Sequence, residues 1–195
     1  EVEEEYVCEL TFNAVERNEL GQEVPEPVSF SEDDWSTIAA NVKIGNTSKY
    51  NVGDTKEVDL GSFGTHNVRI ANKSECTTGE TSETACGFVV EFADILTKQE
   101  IITSNVGGWK DSALRSYING TIYESLPNNL QNVITTTKVI SSHGSTETSN
   151  FETQDKLYLL NVQELWDSIS FDTSVGTTRQ LDYYKNLGVL TGNTN

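Results

Sequence analysis

The apolar residues of this chain come in short runs, each broken by charge, glycine or a hydroxyl. Even Gly87-Phe88-Val89-Val90 gives way at once to Glu91. No run approaches the roughly 20 apolar residues that a membrane helix needs. Short runs call instead for strands and helices of modest length packed on one core, which 195 residues can supply.

Periodicity places those elements. Ser31 caps a first helix, with Asp34 three residues on, and Trp35, Ile38, Ala39 and Val42 give its buried face; the helix ends near Gly45. Thr55–Leu60 and His66–Ala71 read as strands, as does Gly87–Ile95, where Phe88, Val90 and Phe92 share a face. After Gly107-Gly108 a helix capped by Asp111 or Ser112 carries Leu114, Tyr117, Ile118 and Ile122, with Gly120 interrupting it. Thr135–Ser141 reads as a strand, 141–150 as a polar loop and Lys156–Leu160 as an apolar strand. Asn161 then caps a short helix, and Thr177–Leu187 is a last helix stopped by Gly188. The order is mixed, so the fold class is α+β, a small mixed or antiparallel sheet with several short helices.

Residues 1–27 read as a separate acidic N-terminal strand and linker: Tyr6–Phe12 is strand-like and Pro25-Glu26-Pro27 a stiff spacer. Residues 28–195 form the main domain. The chain starts at Glu1 and has no methionine, so it reads as processed or as part of something larger.

The formal charge is −17, of which residues 1–34 contribute −11 (12 acids, one base). Nucleic-acid binding needs clustered Lys and Arg, and the sequence has no such cluster. Cys76 and Cys86 bracket an 11-residue Thr-, Gly- and Glu-rich loop. A disulfide there would contribute about 2–3 kcal/mol and imply an oxidising compartment; two reduced cysteines are the alternative. Cys8 is left over, free or paired elsewhere. No Cys-x-x-Cys occurs and there are two histidines, so no zinc site is expected. Asp54, Asp59 and Asp155 could join a calcium site, but no Asp-x-Asp-x-Asp loop is present.

Several short motifs recur in a characteristic order: Gly107-Gly108-Trp109 with Ser112-Ala113-Leu114-Arg115-Ser116-Tyr117-Ile118-Asn119, then Asp155-Lys156-Leu157-Tyr158-Leu159-Leu160, then Thr178-Arg179-Gln180-Leu181-Asp182-Tyr183-Tyr184. With Tyr50–Asp54, Val68–Asn72 and Thr84–Asp94, they resemble the bacterial domain-of-unknown-function family numbered 6273, from about residue 30 to the end. That family occurs in large secreted or surface-attached proteins of gut Firmicutes and related bacteria. The chain departs from its pattern in lacking the Trp-Leu-Arg-Ser segment that usually follows. The resemblance implies an extracellular or cell-surface location, other modules in the same polypeptide, and a fold with C-type-lectin-like character, although the sugar and calcium motifs of true C-type lectins are absent.

No nucleophile elbow, phosphate loop or dinucleotide motif is present. The expected function is therefore non-catalytic: a binding module for a glycan or protein partner, needing no cofactor and no metal. The candidate ligand-binding residues are Trp109, which follows two glycines, Arg115, and the loop around His143. Arg69, Arg115 and Arg179 either pair with carboxylates such as Glu91, Asp94 or Asp182 or clamp an anion. A structural spacer and a glycan hydrolase are the rival readings.

Overall fold

The computed structural model describes residues 21, 23–98, 107–143, 147–166 and 176–189. The strand expected at Tyr6–Phe12, and Cys8 within it, lie outside them.

Helix α1 (Trp35–Lys43) begins one turn later than the sequence suggests. Asp34 itself is the cap, its carboxylate accepting from the Thr37 amide at 2.7 Å. Ser31 instead lies in the preceding turn. Asn41, fully buried on α1, donates to Pro25 O at 2.9 Å, so the Pro-Glu-Pro segment lies against this helix.

Strands β1 (Thr55–Asp59), β2 (Thr65–Asn72) and β3 (Val89–Phe92) form an antiparallel sheet in that order. Alternation along β2 sends Val68 and Ile70 inward with Val58 of β1. Phe30, Trp35, Ile38, Tyr50, Leu60, Leu126 and Leu130 complete this core. A register shift between Ile70 and Asn72 frees Ala71 for a second cluster with Ala85 and Leu181.

A helical run extends from Ala113 to Ser125. It comprises α2 (Ala113–Tyr117), a wide π turn (Ile118–Ile122) and α3 (Tyr123–Ser125). Gly120 therefore widens the helix without ending it. Helix α4 (Asn128–Gln131) follows Pro127.

A second antiparallel sheet pairs β4 (Thr137–Ser141) with β5 (Phe151–Asp155). Here the sequence misleads. Strand β5 falls between the expected polar loop and the expected apolar strand, where no element was read, because its buried face is Thr153 and Asp155. Residues 156–160 belong to neither sheet. Helix α5 (Val162–Leu165) has a capping box made by Asn161 and Glu164. The last helix, α6 (Asp182–Asn186), is shorter than expected, since residues 177–181 run outside any helix. The fold is α+β as its sequence class implies, and the expected small sheet is two antiparallel sheets.

Candidate functional site

The motif around Trp109 is built by its glycines. Gly107 and Gly108 both have positive φ, at 81° and 53°. A Cβ on Gly107 would fall 2.3 Å from an Asp111 carboxylate oxygen, and one on Gly108 would fall 3.0 Å from Ser142 O and 3.2 Å from the Phe151 ring. Only glycine lets the chain turn here against β5. The turn carries Trp109 onto Asp155, the last residue of β5, whose Oδ2 accepts from the indole Nε1 at 2.9 Å and from Thr153 Oγ1 at 2.7 Å.

Arg115 reaches the same carboxylate. Its Nε and Nη2 each lie 2.7 Å from Asp155 Oδ1, and its Nη1 donates to Lys110 O at 3.1 Å. Ser112 caps α2 by accepting from the Arg115 amide and donates its hydroxyl to Trp109 O. Asp155 is 1% exposed. The structure thus brings two of the three candidate residues together, on one buried carboxylate. His143 stands apart, with Nδ1 3.0 Å from Asn150 Oδ1. Part of its loop, 144–146, lies outside the described residues.

The other motifs are tied to this one. The Asn119 side chain accepts from the Lys156 and Leu157 amides at 2.9 and 3.1 Å and donates to Leu157 O. That fixes the chain leaving β5. Lys156 Nζ donates to Ile134 O, and Tyr158 Oη donates to Thr84 O.

Cys76 and Cys86 are joined by a disulfide. Arg179 clamps the loop it closes: Nη1 lies 2.7 Å from both Glu80 carboxylate oxygens, and Nη2 donates to Ser74 O and Ala85 O. Burial acts to raise the Glu80 pKa, but the Thr77 amide and Arg179 hold it below the usual range. Among the described residues, Cys76, Glu80 and Cys86 have metal-like spacing. Their sulfurs are bonded to each other and Glu80 is neutralised by Arg179, so the group works as a clamp. Arg69 pairs with Glu91 at 2.7 Å, and Tyr184 donates to the other Glu91 oxygen. All three arginines therefore face carboxylates, though Arg179 chooses Glu80 over Asp182. Asp182 instead accepts from the Lys73 and Ser74 amides. Asp54 and Asp59 accept from the Asn51 and Gly61 amides within their own turns.

Between the disulfide loop, β4 and the 159–164 segment lies a cleft of about 300 Å³. Ser82, Thr84 and Glu164 line one part, Trp109 and Val139–Ser142 another, and Leu159–Val162 a third. Glu164 is fully buried. Its Oε1 accepts from the Thr84 and Thr178 hydroxyls and its Oε2 from the Asn161 amide at 2.7 Å. Burial nonetheless pushes its carboxyl above the ordinary range. Ser141 Oγ is buried without a hydrogen-bond partner among the described residues, and Leu159 is half exposed. Sequence reasoning missed Ser82, Thr84, Ser141 and Glu164. Only Glu164 left a signal, three residues after the cap Asn161.

The fold and this motif-built junction define a small disulfide-containing α+β domain with one hydroxyl-lined cleft described. A family model for a domain of unknown function (DUF6273) matches residues 92–192, slightly over half of the chain, and the chain belongs to that family. The matched span takes in the Trp109, Asp155 and Arg179 motifs and begins well after residue 30, where the resemblance seemed to start. No curated protein and no solved structure matches the chain. Among the described residues no helix is long and apolar enough to cross a membrane.

Proposed function

We propose that this domain is a non-catalytic module of a secreted or cell-surface bacterial protein, and that it holds a glycan or protein partner in the cleft beside Trp109. The observation that carries this reading is the cleft itself. It combines apolar walls with hydroxyls and includes a buried Ser141 Oγ with no partner among the described residues, the composition typical of ligand sites, at the small end of their range. The Cys76–Cys86 disulfide supports an oxidising compartment. The −17 charge argues against a nucleic-acid partner.

The hydrolase reading needs two convergent carboxylates. Glu164 is the only carboxylate among the described lining residues, and both its oxygens are committed. The spacer reading draws support from the junction. Arg115 and the Trp109 indole N–H are spent on Asp155, so they act as architecture and the Trp109 ring is what is left for a ligand.

Leu159→Arg separates the two. Leu159 is half exposed, so the change should leave the melting temperature unchanged while placing a long charged side chain at the cleft. Binding to an oligosaccharide array or to displayed peptides that this variant loses supports the module reading. Equal behaviour of both proteins on every probe favours the spacer.

A further inference from the structure

The Cys76–Cys86 disulfide closes a loop that the rest of the chain already holds shut. Just outside the bridge, the Gly87 amide donates to Ser74 O at 2.8 Å. The fully buried Asn72 places its Nδ2 2.9 Å from Ser74 O and from Gly87 O, and 3.0 Å from Ala85 O. Arg179 Nη2 ties Ser74 O to Ala85 O once more, at 2.8 and 2.6 Å. The two cysteines are therefore brought together by groups that do not depend on the S–S bond.

The two sulfurs differ in their surroundings. Cys76 is exposed and Cys86 is half-buried. Glu80 Oε2 lies 3.7 Å from Cys86 Sγ, within the reach of a hydrogen bond to sulfur. A disulfide sulfur has no proton to donate, whereas a thiol has one. The acceptor beside Cys86 is thus of use only to the dithiol. It is fixed there independently of the sulfurs, by the Thr77 amide at 2.8 Å and by Arg179 at 2.7 Å.

We propose that Cys76 and Cys86 form a reversible redox pair, which exchanges with a low-molecular-weight thiol while the fold stays intact. This site goes beyond the binding-module reading and does not depend on it. A thiolate of the small molecule attacks Cys76 Sγ, the exposed sulfur. The Cys76–Cys86 bond breaks and its electron pair leaves on Cys86 Sγ, which takes a proton from water and donates it in a hydrogen bond to Glu80 Oε2. A second thiolate attacks the small-molecule sulfur of the mixed disulfide. A small-molecule disulfide departs, and Cys76 Sγ keeps the electron pair of the bond that breaks. Two small thiols are oxidised and the protein disulfide gains two electrons. The small-molecule disulfide drives the same steps in reverse.

The test uses the full chain carrying Cys8→Ser, so that only this pair exchanges, in buffers of reduced and oxidised glutathione. Alkylation with mass spectrometry counts the thiols, and near-ultraviolet circular dichroism reports the fold. The dithiol is expected to appear and revert as the glutathione ratio changes, with the native spectrum kept throughout. Cys86→Ser should take up one glutathione, on Cys76, and Cys76→Ser should take up far less on half-buried Cys86. Glu80→Ala tells the acceptor role from a structural one by sign. Losing a hydrogen bond that only the dithiol makes shifts the equilibrium toward the disulfide, by about threefold or more. Merely loosening the loop holds the thiols together less well and shifts it toward the dithiol. Reduction that needs denaturant, or that abolishes the native spectrum, overturns the proposal. So do equal uptake of glutathione by the two serine variants and a shift toward the dithiol in Glu80→Ala.

Discussion

Thr84 donates its hydroxyl to the carboxylate of Glu164, 80 positions later in the chain. The bond joins the disulfide-closed loop to the capping box of α5, and so sets one side of the cleft against another. Its acceptor is fully buried, and burial raises its pKa. A carboxyl whose pKa is higher folded than unfolded contributes stability that is complete below the unfolded value and is lost as pH rises through the folded one. Glu164→Gln keeps an acceptor for the capping box and removes the titration. The variant should therefore gain in melting temperature relative to the native chain as the buffer is taken from about pH 4 to about pH 8. A constant difference across that range would show that Glu164 does not titrate where its burial places it.

Asp155 is the corresponding hub of the Trp109 motif. Asp155→Ala leaves the Arg115 guanidinium and the Trp109 indole N–H without their acceptor. Breaking a buried pair from one side costs about 3–5 kcal/mol, and Arg115, which is partly exposed, should put this case at the lower end. Arg115→Lys loses the two-nitrogen approach to Oδ1 and should cost about 1–2 kcal/mol despite keeping its charge. Urea denaturation of the three proteins gives both values directly.

Gly108 and Gly61 have nearly the same φ, 53° and 60°, but different surroundings. A Cβ at Gly61 meets nothing within 4 Å, whereas one at Gly108 presses on Ser142 O and Phe151. Gly61→Ala should cost about 1–2 kcal/mol, the penalty of left-handed backbone alone. Gly108→Ala should cost about 1–3 kcal/mol more, the usual range for overpacking. Equal losses in the two variants, read from denaturation midpoints, would mean that the close approach of the Gly-Gly turn to β5 is relaxed in solution.

How much of this could be read from the sequence depended on whether the signal was local. Ser112 and Asn161 as caps, Gly45 and Gly188 as stops and the shared face of Phe88, Val90 and Phe92 each follow from residues a few positions apart, and each is where the sequence placed it. Strand β5 was missed because its inward residues, Thr153 and Asp155, are polar; hydropathy cannot tell a buried hydrogen-bonded carboxylate from a solvated one. The neighbouring run Lys156–Leu160 looked more like a strand because it is apolar, yet Asn119 holds its start outside the sheet. The cleft was out of reach for another reason: its walls come from stretches around 82, 109, 140 and 160, which only the fold brings together.

The hold of residues 177–184 on the first sheet also bears on the order of events during synthesis. Arg69 on β2 meets Tyr184 across 115 positions, and Ser74 meets Asp182 across 108. The clamp on the disulfide loop, from Arg179 to Glu80, spans 99. Contacts so distant in sequence close late and slow the search for the native state. While a ribosome is still building this chain, β1–β3 can pair, but the side of the sheet that Leu181 and Tyr184 cover stays bare. Anything that recognises exposed apolar surface has that interval in which to act.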